Sequence, residues 1–64
     1  MLTINGKEVA ADGKRLADYL REAGYDVRRV AVERNGEIVP KATFEQVVLQ
    51  EGDVVEVVSF VGGG

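Results

Sequence analysis

The residues that could take part in chemistry are concentrated at the end of the sequence. Residues 60–64 read Phe-Val-Gly-Gly-Gly, and the glycines follow directly after an apolar run. Glycine loses more backbone freedom on ordering than any other residue, so these positions are not expected to stabilise a fold. Two interpretations follow. The glycines are a frayed end or a cloning remnant, or they allow a terminal carboxylate to pass through a narrow slot in another protein.

Residues for other kinds of chemistry are scarce. The 64 residues include no cysteine and no histidine, which removes thiolate chemistry, disulfides, the usual general base and the usual metal ligand. Ser59 is the only serine, and it lies in an apolar run without a base beside it. We therefore expect a protein that is not an enzyme, has no metal site and binds no cofactor of its own.

The charge balance restricts the kinds of partner. Eight Lys and Arg residues stand against eleven Asp and Glu residues, for a net charge of −3. Nucleic-acid binding calls for a basic face, so no nucleic-acid partner is expected. The negative charge favours solubility and steers a basic partner toward the surface. No apolar run approaches the roughly 18 residues of a membrane-spanning helix, and no signal peptide opens the sequence. We expect a cytoplasmic protein without a membrane partner.

Two Asn-Gly pairs, at 5–6 and 35–36, predict two tight β-hairpins. Type I′ turns need positive φ at both central positions, and Asn-Gly is the strongest short signal for them. The predicted strands are 1–4, 7–10, 30–34 and 37–39. Pro40 ends the last of these or places it at a sheet edge, because proline cannot donate to a ladder.

A helical stripe lies between the hairpins. Leu16, Leu20 and Ala23 recur at helical spacing and predict about three turns of helix with one apolar face. Asp12 is the predicted N-cap, and Gly24 stops the helix at the position after its C-cap.

A second, shorter helical turn is predicted after Pro40. Thr43 and Gln46 match a capping box, which predicts a single turn that begins there. Phe44, Val47 and Leu49 are expected to close the open end of the core.

The final strand, residues 54–61, is the most apolar stretch of the chain. Alternation directs Val55 and Val57 toward the helix. The opposite face carries Val54, Glu56, Val58 and Phe60. A chain with one long helix has nothing to cover that second face, so Val58 and Phe60 are predicted to be exposed. Exposed apolar clusters mark partner surfaces, whereas scattered single apolar residues are normal; the position beside the glycines favours a partner surface.

The order of elements predicts an α+β fold. The helix must pack on one face of the sheet, and the most economical arrangement places the last strand at the sheet centre, parallel to the first. This is the β-grasp, or ubiquitin-like, architecture: a mixed sheet of about five strands with one main helix on one face. The strand order is inferred by analogy with that fold. We assign residues 1–61 to the domain and residues 62–64 to a flexible C-terminal glycine tail.

The sequence resembles the ThiS family, the small sulfur-carrier proteins of bacterial thiamine biosynthesis. The resemblance extends over nearly the whole length and is carried by residues 4–7, 16–20, 31–40, 49–53 and 60–64. The most specific combination is Asn-Gly-Glu-Ile-Val-Pro, then Glu-Gly-Asp, an apolar strand and a glycine terminus. The Gly-Gly ending alone does not choose a pathway, because molybdopterin-synthase small subunits and other ubiquitin-like carriers share it.

The resemblance implies a carrier that is monomeric when free and acts through the carboxylate of Gly64. An E1-like adenylyltransferase would activate that group with ATP, a cysteine desulfurase or sulfurtransferase would supply sulfur, and thiazole synthase would use the resulting thiocarboxylate. The expected partner-binding residues are Val58, Phe60, Val61, Gly62 and Gly63. Molybdopterin synthesis, tRNA thiolation, a ubiquitin-like protein tag and a plain β-grasp interaction module are the alternatives.

Overall fold

The computed structural model describes residues 1–60, which form five strands, one α-helix and one 3₁₀-helix. In chain order these are β1 Leu2–Ile4, β2 Lys7–Val9, α1 Leu16–Glu22, β3 Val30–Arg34, β4 Glu37–Ile38, the 3₁₀-helix Lys41–Thr43 and β5 Val54–Ser59.

The final strand lies at the centre of the sheet. The strand order is β2-β1-β5-β3-β4. Strand β5 runs parallel to β1 and antiparallel to β3, and each hairpin adds an outer strand. The predicted α+β class, the mixed five-stranded sheet and the central position of the last strand are confirmed.

Both predicted hairpin turns are present. Asn5 and Gly6 have φ of 52° and 81°, and Asn35 and Gly36 have φ of 53° and 85°. Positive φ at both central positions is the requirement that selects Asn-Gly in these turns. The returning strands are one residue shorter than expected, because β2 ends at Val9 and β4 at Ile38.

The core lies between α1 and one face of the sheet. Its buried side chains are Leu2, Ile4, Ala11, Leu16, Ala17, Leu20, Val30, Val32, Phe44, Leu49, Val55 and Val57. Phe44 and Leu49 close one end as predicted, with Val47 partly buried beside them. The prediction for Ala23 is wrong: it is the exposed C-cap of a helix of 7 residues, which is closer to two turns than three.

The start of α1 differs from the prediction. Arg15 is the N-cap residue and its side chain makes no capping hydrogen bond. The first N–H donors of the helix are instead satisfied by another part of the backbone: Leu16 donates to the carbonyl of Val47 at 2.8 Å, and Ala17 to that of Phe44 at 3.0 Å. Asp12 is too far upstream to cap the helix, and it accepts a hydrogen bond from the amino terminus at 3.0 Å.

The end of α1 agrees with the prediction for Gly24, which has φ of 89°. Its N–H donates to the carbonyl of Arg21, and the N–H of Tyr25 donates to that of Leu20. This pair of bonds is the Schellman arrangement, which satisfies two terminal carbonyls and needs a left-handed residue at this position.

The capping box predicted at Thr43 is absent. Thr43 is the last residue of the 3₁₀-helix, and its hydroxyl donates to the carbonyl of Pro40 at 2.7 Å. The predicted turn itself is present through backbone bonds, since the N–H groups of Gln46 and Val47 donate to the carbonyl of Thr43 at 2.9 and 3.0 Å. The 3₁₀-helix precedes it, with Pro40 as its N-cap.

Strand β5 ends at Ser59, two residues before the predicted end. Val61 and the glycines 62–64 lie outside the described residues. The boundary between a domain at 1–61 and a tail at 62–64 therefore stays a prediction.

Candidate functional site

Strand β5 divides its side chains between the core and an open side of the sheet. Val55 and Val57 are 0% and 7% exposed, whereas Val54, Val58 and Phe60 are 50%, 56% and 56% exposed. Helix α1 covers only one face, so alternate residues of the strand have no covering element within residues 1–60. The predicted exposure of Val58 and Phe60 is confirmed.

We name the side of the sheet away from α1 the outer face. The strand pairing assigns to it Thr3, Glu8, Ala31, Glu33, Ile38, Val54, Glu56 and Val58. Part of this face is a shallow concavity of about 450 Å³, with Ile38, Val54 and Val58 among its lining residues.

Ile38 is a site residue that sequence reasoning missed. It is 68% exposed, more than the other large apolar side chains of residues 1–60. A strand of two residues is too short for alternation to indicate its face. The signal that could have found it is the Asn-Gly turn, which fixes the pairing of Ile38 with Glu33, and paired residues share a face of the sheet.

The outer face is acidic as well as apolar. Glu33 and Glu56 are directly paired across β3 and β5, and Glu8 lies on the same face at β2. The two cationic residues within the strands, Lys7 and Arg34, have the register of the helix-facing side. The strand positions of the outer face thus carry negative charge only.

Asn5 holds β5 from one side. Its amide Oδ1 accepts from the N–H of Val57 at 2.7 Å, and its Nδ2 donates to the carbonyl of Val57 at 3.2 Å. The side chain continues the ladder after the main chain of β1 has turned away. The asparagine that the hairpin turn requires also fixes the central strand.

Asn35 holds the start of β5 from the other side. Its Oδ1 accepts from the N–H of Val54 at 2.8 Å, and its Nδ2 donates to Asp53 at 3.1 Å. Both hairpin turns therefore contact the strand that leads to the glycines, and neither contact could be inferred from the turn signal alone.

Asp53 is the buried charged residue of the described chain, and it precedes β5 directly. Its carboxylate accepts from Arg34 Nε at 2.8 Å, from Asn35 at 3.1 Å and from the N–H of Gln50 at 3.0 Å. Burial raises the pKa of Asp53, but these hydrogen bonds, together with the charge of Arg34, outweigh it and lower the pKa below its usual value. The ionised carboxylate fixes the point where β5 begins.

The described chain ends beside the start of β3. The N–H of Phe60 donates to the carbonyl of Arg29 at 2.7 Å. The end of the described chain is thus held to the start of β3 by a backbone hydrogen bond.

Arg28 and Arg29 both form ion pairs with Asp26, so these exposed arginines have a partner within their own loop.

Outside the outer face, the described residues form a second, smaller concavity of about 250 Å³, with Arg28, Lys41 and Glu45 among its lining residues. Ser59 is exposed at the end of β5 with no histidine in the chain to act on it. Within residues 1–60, no three acidic side chains come together in a way that could hold a metal ion. Over the same residues, no helix has the length and apolar character that crossing a membrane requires. The predicted site residues Val61, Gly62, Gly63 and Gly64 lie outside the part of the chain that is described.

The fold defines the class of protein. A mixed sheet with its final strand at the centre, one helix on one face and an open opposite face is a β-grasp domain. The chain belongs to the ThiS family, whose model matches residues 2–64.

Two comparisons extend over all or nearly all of the chain. The sulfur carrier protein ThiS of Bacillus subtilis is 42% identical over 66 aligned positions, covering 100% of both chains. The crystal structure of the thiamine biosynthesis protein ThiS of Geobacter metallireducens superposes with a TM-score of 0.76 at 33% identity, covering 98% of this chain and 97% of that one.

A third comparison is with a longer protein. The thiazole synthase of Paramagnetospirillum magneticum is 48% identical over 64 residues, which cover 98% of this chain and 20% of the synthase. The chain therefore spans about a fifth of that relative's length. The matched segment is part of the synthase polypeptide.

Proposed function

We propose that this chain is a sulfur carrier for thiazole formation in thiamine biosynthesis, with the carboxylate of Gly64 as the carrier group. The observation that carries the proposal is the full-length similarity to the Bacillus subtilis sulfur carrier, at 42% identity. In this role the chain is a substrate of other enzymes and not an enzyme itself, which agrees with its lack of cysteine and histidine.

The proposed chemistry begins with activation. A terminal carboxyl has a pKa of roughly 3.3–3.7, so near neutral pH it is an anion and a poor electrophile. An E1-like adenylyltransferase would transfer AMP from ATP to Gly64 and release pyrophosphate. The terminal sulfur of a persulfide, supplied by a cysteine desulfurase or a sulfurtransferase, would then attack the acyl carbon and displace AMP. A thiol would reduce the resulting acyl disulfide and leave the thiocarboxylate.

The proposed acceptor is thiazole synthase. Its support is the similarity of the chain to a segment of two thiazole synthases, at 48% and 45% identity. We assign Val58, Phe60 and Val61 to the contact with the partners. Gly62 and Gly63 would let the terminus lie extended in a narrow channel, since they have no Cβ.

Other destinations for the sulfur are less well supported. Molybdopterin synthesis and tRNA thiolation would use the same carrier chemistry, but the family and the named relatives belong to thiamine biosynthesis. A ubiquitin-like tag would differ in its product, because Gly64 would then be found linked to lysine side chains.

The proposal can be tested with two tail variants, one that lacks Gly63 and Gly64 and one that is extended by a residue after Gly64. Each is incubated with ATP, the activating enzyme, a cysteine desulfurase with cysteine, and a thiol. Intact-mass spectrometry should show replacement of one oxygen by sulfur in the parent chain only. Both variants should unfold at the parent's temperature. Sulfur gain by the extended variant would contradict the proposal.

A further inference from the structure

Glu33 and Glu56 form an unusual pair on the outer face. They are direct cross-strand neighbours, and like charges in that arrangement destabilise a sheet. Within residues 1–60 neither carboxylate belongs to an ion pair. The described fold therefore carries a local cost in stability at this pair that no ion pair offsets.

The surroundings of the pair are apolar. Both carboxylates line the shallow concavity together with Ile38, Val54 and Val58. A protein that covered these side chains would exclude water from the two charges. Charge interactions strengthen as water is removed, and a buried carboxylate without a partner is costly. Whatever covers this face must therefore supply positive charge at this point.

Resting on the proposed function, we infer that Glu33 and Glu56 together bind an arginine side chain of thiazole synthase when it covers the outer face. Arginine has a planar fork of N–H donors that suits carboxylate oxygens and remains charged in apolar surroundings. The surrounding valines and isoleucine would contact apolar side chains of the synthase. The acid pair determines which partner fits, and the apolar residues contribute contact area.

A second copy of this chain is a poor occupant for the same face. The strand positions there carry three carboxylates and no cation. Face-to-face contact between two copies would bring the acidic residues of both together, and like-charge contacts disfavour association. The charge pattern thus favours a partner with a basic contact surface.

The test compares two double variants that remove the same number of charges. Glu33→Gln with Glu56→Gln neutralises the outer-face pair. Glu22→Gln with Glu45→Gln is the control, because these residues pair with Lys14 and Arg21 outside the outer face. Each chain is titrated into thiazole synthase from the same organism at low and at high salt, and thermal unfolding is recorded.

Loss of two hydrogen bonds to a charged group should weaken binding of the outer-face variant at low salt by about tenfold or more. Its affinity should also depend less on salt than that of the parent, because screening acts on the charges. The control should bind like the parent. The outer-face variant should unfold at the same or a higher temperature, since a repulsive pair has been removed.

Several outcomes would overturn the inference. Equal binding by the parent and the outer-face variant would do so and leave the proposed function standing, provided that the parent still gains sulfur. No measurable binding of the parent to the synthase, or dimers of the parent that the outer-face variant fails to form, would also overturn it. If the parent gains no sulfur, the proposed function and the inference fail together.

Discussion

At the scale of single residues, Asp53 controls where the central strand begins. It is buried and joins the N–H of Gln50, the amide of Asn35 and the guanidinium of Arg34 at one carboxylate. A buried charge without partners would be destabilising, but here three donors are directed at the carboxylate. Removing the charge leaves those donors without an equivalent acceptor.

We predict that Asp53→Asn lowers the free energy of unfolding by roughly 1.5–3 kcal/mol at neutral pH, the range for hydrogen bonds to charged groups. The substitution replaces an acceptor with an NH₂ group that faces other donors. Urea unfolding measures the effect. Glu51→Gln, at an exposed neighbour in the same turn, should change stability by less than about 0.5 kcal/mol.

The Asp53→Asn variant also tests how the stability of the fold depends on pH. Because the pKa of Asp53 is lowered in the folded state, its contribution is present above the ordinary value of 3.8. The contribution is lost as the pH falls through the lower, folded-state pKa. The difference in stability between the parent and Asp53→Asn should therefore shrink in acid. A difference that stays constant from pH 7 to about pH 2 would contradict this account of Asp53.

At the scale of elements, the two hairpin turns hold β5 in place. Each turn has asparagine in the left-handed region, and each asparagine side chain bonds to the backbone of β5, at Val57 or at Val54. The turns thus join their own strands and also fix the strand that leads to the glycines.

We predict that Asn5→Asp destabilises the fold by roughly 1–3 kcal/mol near neutral pH, because a carboxylate oxygen would replace the donor that faces the carbonyl of Val57. Aspartate tolerates the same backbone conformation, so the turn itself is kept. In acid the protonated side chain can donate again, and part of the loss should be recovered. Urea unfolding at pH 7 and at about pH 3 measures both effects. An equal loss of unfolding free energy at both pH values would argue against the stabilising role of the Asn5 hydrogen bonds to Val57.

Signals within the sequence predicted the elements that depend on local chemistry. The Asn-Gly turns, Gly24 at the helix end and the alternation of β5 are present because each follows from the backbone needs of a few adjacent residues. The helix start at Leu16 could not be predicted in the same way, because its donors are satisfied by residues 44–47, which are distant in sequence.

The candidate site could be predicted only in part for the same reason. Val58 and Phe60 follow from alternation along one strand, and their exposure is confirmed. The pairing of Glu33 with Glu56 depends on the register between β3 and β5. That register is set by tertiary packing and by the asparagine contacts with β5, which a single sequence does not reveal. The exposed position of Ile38 could have been predicted, because a two-residue turn at Asn35-Gly36 pairs Ile38 with Glu33.

At the scale of the whole molecule, the buried core and the proposed contact surface lie on opposite faces of one sheet. The face toward α1 contains the buried core, and the outer face carries exposed apolar side chains beside the end of the described chain. Strand β5 contributes to both, with Val57 on one side and Val58 on the other. Neighbouring valines should therefore respond very differently to the same substitution.

We predict that Val58→Ser changes the free energy of unfolding by less than about 0.5 kcal/mol, as is usual for exposed positions, and weakens association with the activating enzyme and thiazole synthase. Val57→Ser is the matched variant and should cost roughly 2–3 kcal/mol, because it removes buried apolar surface and buries a hydroxyl. Thermal unfolding and binding titrations measure the two effects. Unchanged partner binding by Val58→Ser would contradict the assignment of Val58 to the contact surface.

The central claim is that sulfur is carried on the last residue. Its most direct measurement is fragmentation mass spectrometry of the full chain after incubation with ATP, the activating enzyme, a sulfur donor and a thiol. We predict that the mass increase for replacement of one oxygen by sulfur lies entirely in the fragment that ends at Gly64. An unchanged Gly64 fragment, or Gly64 joined to a lysine side chain, would contradict the claim.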